Sequence, residues 1–245
     1  MPELEPGDRV DGPGLVASEY LDASRLAARR RAWYGLAQGP TAEDEALEAV
    51  VEATPRDVLE VGCGEGELAS RITAATGARN VATDLIEAMV SRAAARGLTA
   101  LVADAARLPF AVASFDAVVA SAMLYHVPDL DAAIDETARV LRPDGRLIAT
   151  TFGAEHLREV WDLVEGPGVR LSFSAENGQA LLARRFGRVR RIAHSVPVVF
   201  PNAEEVRAYV ASTLTRRELA DRVPAFEGTF LAHGHHAVFV AEEPR

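Results

Sequence analysis

Asp57-Val58-Leu59-Glu60-Val61-Gly62-Cys63-Gly64-Glu65-Gly66 is the stretch on which the fold turns. Val58 to Val61 reads as a short buried strand, and the glycine-rich turn behind it lets backbone approach a ligand with no side chains in the way. Leu68, Ala69, Ile72 and Ala75 then recur at helical spacing up to a stop at Gly77. Strand, glycine turn and helix open a nucleotide-binding βαβ unit, whose helix N-terminus offers free N–H groups. A dinucleotide fingerprint, G-x-G-x-x-G, places its third glycine where this chain has Glu67; here the glycine falls at Gly66. Glu65 and Glu67 put negative charge where a pyrophosphate would sit. The turn therefore favours a ligand without phosphates.

Outward from this unit, strand and helix patterns alternate. Upstream, Thr41 with Asp44 makes a capping-box start for a helix carrying Leu47, Val50 and Val51, which Thr54-Pro55 ends. Downstream, Asn80 to Thr83 reads as a second strand closing on Asp84, and a stripe of Ile86, Met89, Val90 and Ala93 stops at Gly97. Leu98 to Val102 is a third strand and Phe115 to Ala120 a fourth. Leu130 to Leu141 is helical, and Pro143-Asp144-Gly145 turns into a fifth strand, Arg146 to Thr151. Short strands alternating with helices call for a parallel sheet with helices on both faces, a doubly wound α/β architecture in three layers. Right-handed crossovers then bring all the strand C-termini, and the ligand, to one edge.

The flanks are less regular. Residues 1–17 look like a loose leader rich in Pro and Gly, and Ser18 to Tyr34 like a helix bearing Tyr20, Trp33 and Tyr34 beside Arg29, Arg30 and Arg31. Two readings stand for that helix: a solvated element resting its aromatic edge on the domain, or a lid over the site. Residues 1–40 are assigned to this N-terminal segment and lid, and 41–245 to one domain with a substrate-pocket insert around 195–234. In the last third, Leu157, Val160, Trp161 and Val164 mark a helix broken by Gly166-Pro167-Gly168, and a helix is expected near Glu176 to Arg185. Val189 to Val199 reads as a strand, Pro201-Asn202 starts a helix through Tyr209, and Ala237 to Ala241 is the terminal strand.

Asp84 closes the second strand, where a carboxylate can accept from both hydroxyls of a ribose; its plain alternative is a helix cap. Asp104 closes the third in Ala103-Asp104-Ala105, placed to accept from an adenine amino group. Acceptors at three adjacent strand ends, Glu60 included, are a far more specific signal than any one of them.

Glu60 with its glycine turn resembles the E/D-x-G-x-G-x-G signature of class I S-adenosylmethionine-dependent methyltransferases, and the similarity runs from Asp57 to Thr151. Asp84-Leu85-Ile86-Glu87-Ala88-Met89 resembles the family's D-x-S-x-x-M turn, with Ile86 in place of the small polar residue. Ala103-Asp104-Ala105 with Leu108-Pro109-Phe110 resembles G-D-A…L-P-F, and Ser114 to Val118 resembles S-F-D-x-V. Leu124-Tyr125-His126-Val127-Pro128-Asp129 resembles L-x-H-V-P-D, and Leu141 to Arg146 resembles L-K-P-G-G with Asp144 replacing the first glycine. The pattern looks most like the small-molecule branch typified by quinone-biosynthesis methyltransferases. It implies a Rossmann-like sheet of seven strands with the last antiparallel, S-adenosylmethionine as cofactor and S-adenosylhomocysteine as product. It implies that Gly62 and Gly64 flank the methionine portion, that Asp84 holds the ribose, and that Asp104 and the Ala105 N–H meet the adenine beside an apolar wall at Leu85. Backbone near Ala120 and Ser121 would face the methionine end, and Glu60, Cys63 and Met89 complete the set. His126 is the candidate base for an acceptor hydroxyl, with Tyr125 as a second candidate.

Composition sets the limits. The chain has 245 residues, 49% hydrophobic and 25% charged, enough to bury a full core. Its 26 basic against 36 acidic residues give a formal charge of −10, which counts against a nucleic-acid surface. Cys63 is the one cysteine, so no intrachain disulfide forms; a small residue in a tight turn is preferred over a reactive thiol. No signal-peptide pattern opens the chain and no apolar run reaches the ~18 residues of a membrane span, so a cytoplasmic protein is expected; the Ala- and Arg-rich composition points to a bacterial chain, and the resemblance implies a small-molecule acceptor. His233-Gly234-His235-His236 reads as a turn into the last strand, not as a metal site. Arg184, Arg185, Arg188, Arg190 and Arg191 form the one basic cluster, either solvated or facing an anionic partner. Rival functions are methylation of RNA or protein, and cofactor binding without methyl transfer; a nicotinamide-dependent dehydrogenase fits the glycine spacing worst.

Overall fold

The computed structural model describes residues 23–168, 170–213 and 215–245. The leader and the start of the N-terminal helix, Tyr20 included, lie outside the described residues. At the centre, β1 (Asp57–Val61) is buried along its whole length, between parallel neighbours β2 (Arg79–Asp84) and β4 (Phe115–Ser121). Parallel pairing continues outward to β3 (Thr99–Val102) and β5 (Leu141–Phe152). β7 (Phe230–Pro244) then inserts antiparallel between β5 and the edge strand β6 (Phe186–Phe200), giving the order β3-β2-β1-β4-β5-β7-β6. This is the doubly wound, seven-stranded α/β sheet with its last strand antiparallel that the alternation and the resemblance led to.

Alternation along the strands divides the core into two apolar layers. Val58, Ala117, Val119 and Ile148 face α2 (Ala42–Ala53) and α3 (Glu67–Thr76). Leu59, Val118, Leu147 and Phe239 face α5 (Leu130–Val140) on the other side. Glu60 shares the parity of Val58, so it points to the α2 side. α4 (Glu87–Ala95) joins β2 to β3 and packs Ala93 against Ala69 and Ala82. The capping box at the start of α2 is present: Thr41 Oγ1 accepts from the Asp44 N–H at 3.2 Å, and Asp44 Oδ2 accepts from the Thr41 N–H at 2.9 Å.

The N-terminal helix enters the described region as α1 (Ala23–Arg30) and widens into a π-helical turn, Arg31–Gly35. Its three arginines are not one solvated patch. Arg29 is buried and donates to the Ser212 carbonyl, Arg30 pairs with Glu43 and Glu67, and Arg31 pairs with Glu205 at 3.0 Å. Ser212 and Glu205 belong to α8 (Ala203–Ser212), which lies in the connection from β6 to β7. With α6 (Arg158–Leu163), this connection forms a separate apolar cluster around Trp161, Phe200 and Tyr209, against which Ala32 and Trp33 pack.

The last third departs from the sequence reading. The helix expected near Glu176 to Arg185 is the short α7 (Gly178–Leu182), and both final strands reach well beyond their apolar runs. His233 to His236 therefore lie inside β7 rather than in a turn. Most of β6 up to Ser195 is half-buried or exposed, so continuous apolar residues are not needed to hold the ribbon. Its backbone ladder with β7 does that instead.

Candidate functional site

Every strand of the parallel half ends on one edge, and the loops there enclose a cleft of about 1140 Å³, open solvent at its mouth included. The glycine turn forms its floor. Gly62 has φ +69°, and a Cβ there would meet Met123 Cβ at 2.8 Å, so only glycine fits. Gly64 has φ +53° and nothing within 4 Å of a built Cβ, so its bare backbone faces the open cleft.

Asp84 binds this turn across the strand end. Its Oδ2 accepts from the Gly64 N–H and its Oδ1 from the Ile86 N–H, both at 2.9 Å. Burial pushes its carboxyl above the ordinary carboxylate range, with those N–H bonds pulling the other way. Asp104 accepts from the Ala106 N–H at 2.9 Å and lines the cleft with Ala105, and Leu85, 52% exposed, adds an apolar side chain to the same lining.

Glu60 is 2% exposed and its Oε2 has no partner, although it reaches the cleft. Burial, with Glu43 and Asp84 nearby, raises its carboxyl well above the usual value. Cys63 is buried in the turn, and burial beside Glu60 and Asp84 pushes its thiol far up. A thiolate nucleophile is disfavoured there, and the small-residue reading stands.

Ser121 closes β4 and meets Thr150 Oγ1 at 3.1 Å. The next residue, Ala122, is held at φ +51° with its N–H donated to Thr150 Oγ1 at 2.9 Å. A 3-10 turn, Leu124–His126, then brings His126 to the cleft wall, with the buried Tyr125 ring tilted against it at 58° and 4.4 Å between centroids. Tyr125, Ala120 and Met89 are buried beside the cleft and do not line it. Glu60, Gly62, Cys63, Gly64, Asp84, Leu85, Asp104, Ala105, Ser121 and His126 do converge on it.

The opposite wall comes from residues the sequence reading did not assign to a cofactor: Leu26, Arg30, Trp33, Tyr34 and, on α2, Glu43. Trp33 packs on Phe152 at 4.8 Å, and the Arg30 guanidinium lies over the Tyr34 ring at 5.1 Å. Of the lid reading, the aromatic contribution of Trp33 and Tyr34 could be seen in composition. Nothing in the spacing pointed to Arg30 or Glu43.

Away from the cleft, the basic cluster is met by acids. Arg184 reaches Asp131 at 3.1 Å, Arg185 pairs with Asp135, and Arg188 reaches Glu242 at 2.9 Å. Among the described residues, no group of three or more His, Cys, Asp and Glu could hold a metal ion, and no helix is long and apolar enough to cross a membrane.

A glycine floor, two acids at the ends of β2 and β3, and acids where phosphates would lie define a protein that binds an adenosine-like ligand lacking phosphates. Residues 59–149 match the family described as a methyltransferase domain. The chain is 33% identical to a malonyl-[acyl-carrier protein] O-methyltransferase of Methylococcus capsulatus over 66% of this chain and 64% of that one, so it spans just under two thirds of that relative. It is 34% identical to the 27-O-demethylrifamycin SV methyltransferase of Amycolatopsis mediterranei over 74% of this chain and 67% of that one. The chain belongs to the S-adenosylmethionine-dependent methyltransferases. The fold is also that of the [4+2]-cyclase SpnF, with a TM-score of 0.61 over 98% of each chain at 20% identity.

The cleft fits this cofactor on its own terms. Gly64 leaves a cradle that a Cβ would fill, Glu60 Oε2 is an orphaned acceptor suited to an ammonium, and the acids Glu65 and Glu67 suit a sulfonium better than a phosphate.

Proposed function

We propose that this protein transfers a methyl group from S-adenosylmethionine to a hydroxyl of an uncharged small molecule. The observation that carries this is the division of one cleft into two walls of different chemistry. The strand-end wall presents acids and bare backbone, and the facing wall presents Leu26, Trp33 and Tyr34 beside the paired Arg30 and Glu43, with Met123 and Val127 alongside. An apolar acceptor body fits the second wall. Apart from Arg30, no Lys or Arg lines the cleft among the described residues, which disfavours an anionic acceptor. The two named relatives support transfer to oxygen. The formal charge of −10 and the acid-paired arginine cluster count against RNA as the acceptor.

When bound, S-adenosylmethionine supplies a methyl already activated on a sulfonium. In this assignment, Asp84 accepts from the ribose hydroxyls, Asp104 and the Ala105 N–H meet the adenine against Leu85, and Glu60 accepts from the amino group. Cys63 and Gly62 keep the floor narrow. His126 takes the acceptor's hydroxyl proton as the oxygen–carbon bond forms and the carbon–sulfur bond breaks, the electron pair leaving with sulfur. Tyr125 supports the His126 ring through its tilted contact. Trp33 and Tyr34 exclude water and align the acceptor oxygen, the part of the barrier that positioning can remove.

Incubation of the protein with S-adenosylmethionine and a panel of hydroxylated compounds, read by S-adenosylhomocysteine release and a 14-dalton gain in the acceptor (one CH2), tests this. Turnover on a neutral alcohol or phenol is expected, with kcat lowered about 10²- to 10⁴-fold in His126→Ala. Tight S-adenosylhomocysteine binding with no transfer across the panel would favour the reading as a cofactor-binding protein that does not methylate.

A further inference from the structure

We infer that His156 determines specificity for the acceptor: its Nε2 accepts a hydrogen bond from a second hydroxyl or N–H of that molecule, apart from the hydroxyl that is methylated. The inference rests on the neutral-acceptor reading and narrows it to compounds that carry two donors on one apolar body.

The loop after β5 is built around this ring. The Gly153 N–H donates to the His235 carbonyl at 3.0 Å and the Leu157 N–H to the His233 carbonyl at 2.8 Å, so both ends of the loop are tied to β7. Leu157, a buried leucine, is held at φ +51°, a left-handed conformation that is costly for any residue with a Cβ and that collects at functional sites. Between these ties His156 turns inward and is 4% exposed. Its Nδ1 lies 3.2 Å from the His235 carbonyl oxygen, which can only accept. Nδ1 therefore carries the proton, and Nε2 of the neutral ring holds a lone pair. That Nε2 is buried with no partner. Burial lowers the ring's pKa to about 3, which makes it a poor base but a lasting neutral acceptor. A buried acceptor without a donor weakens the fold, and here strained backbone holds it in place.

The position of the ring points to the acceptor and not to the cofactor. Phe152, the last residue of β5, lies 4.3 Å from the His156 ring, 4.8 Å from Trp33 and 6.2 Å from Tyr125, and Tyr125 lies 4.4 Å from His126. His126 and His156 thus stand at the two ends of one aromatic row, behind the wall that Trp33 lines. The Trp33 indole meets His156 edge-on at 6.5 Å; it is half-buried and rides on the π-helical turn, a form frequent at functional sites. As the indole tilts off Phe152, Nε2 opens to the apolar wall. A base at one end of the row and a neutral acceptor at the other suit a molecule with two hydroxyls, one for each. An analogue with a single hydroxyl leaves Nε2 unmatched, and that mismatch discriminates against it.

Calorimetric titration of the protein saturated with S-adenosylhomocysteine reads this second hydrogen bond, with 2-naphthol and 2,3-, 2,6- and 2,7-dihydroxynaphthalene as probes. In wild type at least one diol should bind roughly tenfold to a hundredfold more tightly than 2-naphthol. His156→Phe keeps a ring against Phe152; it should erase that advantage and leave 2-naphthol within about twofold of wild type. His156→Gln, whose side-chain carbonyl can replace the Nε2 lone pair, should keep part of the advantage, and it covers the case in which the phenylalanine variant does not fold. No diol advantage in wild type, or one that survives undiminished in His156→Phe, would overturn the inference and leave Nε2 facing only buried water. Equal losses for diol and 2-naphthol in the variants would make His156 a packing residue and overturn it as well. In each of these cases 2-naphthol still binds wild type, so the neutral-acceptor reading stands. Failure of all four probes to bind wild type would remove that reading, and this inference with it.

Discussion

At the scale of single residues, Glu60 makes the sharpest statement about the ligand. Burial, one unpartnered oxygen and acids for neighbours raise this carboxyl well above the usual Glu value and so favour its protonated form. In the proposed assignment the cofactor's ammonium arrives beside it and favours the ionised form, so binding releases a proton. The observed calorimetric enthalpy of S-adenosylhomocysteine binding at pH 7 should then differ between buffers in proportion to their ionisation enthalpies. Glu60→Gln should abolish that dependence. Identical wild-type enthalpies in phosphate and Tris would show that Glu60 does not ionise on binding. The same raised pKa also affects stability. The folded state holds a proton that the unfolded chain has already lost, so this contribution falls as pH rises above the ordinary Glu value.

At the scale of elements, the sequence was most informative where local pattern and position in the fold coincide. Val58 to Val61 must be a buried strand, and a turn with glycines at 62 and 64 must bring backbone to a ligand, whatever lies around them. Asp84 and Asp104 could be read for the same reason, since a parallel sheet fixes where strand ends go. α1 belongs to no βαβ repeat, so its sequence does not say which strand ends it crosses. Its Arg29-Arg30-Arg31 run looks like a uniform basic patch until packing divides it among four partners. The β6–β7 ribbon was under-read because its exposed stretch needs no apolar alternation; Arg188 and Arg190 sit there beside Glu242 and Glu52.

Anchored in this way, α1 opens only when its contacts break, and the cofactor should add one. Trypsin cleavage within the Arg29–Arg31 run should be slow in the free protein, and slower still with saturating S-adenosylhomocysteine. Equal cleavage rates with and without S-adenosylhomocysteine would show that this element does not close over the cofactor.

At the scale of the whole molecule, the acid limb of stability is set behind the cleft wall, where β5, β7 and α2 meet and His156 lies 6.5 Å from the cleft-lining Trp33 ring. His156 is buried against Phe152 at 4.3 Å, its Nδ1 3.2 Å from the His235 carbonyl oxygen. His236 is buried beside His194, which stacks on it and pairs with Glu45 at 2.9 Å. Burial lowers His156 to about 3 and His236 to about 4, with neighbouring histidines adding to both. The unfolded chain takes up protons on these rings near pH 6.5, while the folded chain refuses them until well below pH 5. Stability is therefore intact above pH 6.5 and drains away as pH falls towards 4. For His156 alone the loss at pH 5 is about 2 kcal/mol (1.5 pH units at about 1.4 kcal/mol each). Glu45, whose pKa burial raises, works the other way. Charge repulsion also relaxes as the net charge shrinks towards the pI of about 5.1. The wild-type curve mixes all of these, so the informative quantity is a difference. His156→Phe keeps a ring against Phe152, gives up one hydrogen bond worth about 1 kcal/mol, and has no proton to take up. Denaturant midpoints measured from pH 7.5 to pH 4.5 should show this variant no more stable than wild type at neutral pH but overtaking it on the acid side. Parallel curves for the two proteins would mean that the buried imidazole does not set the acid limit.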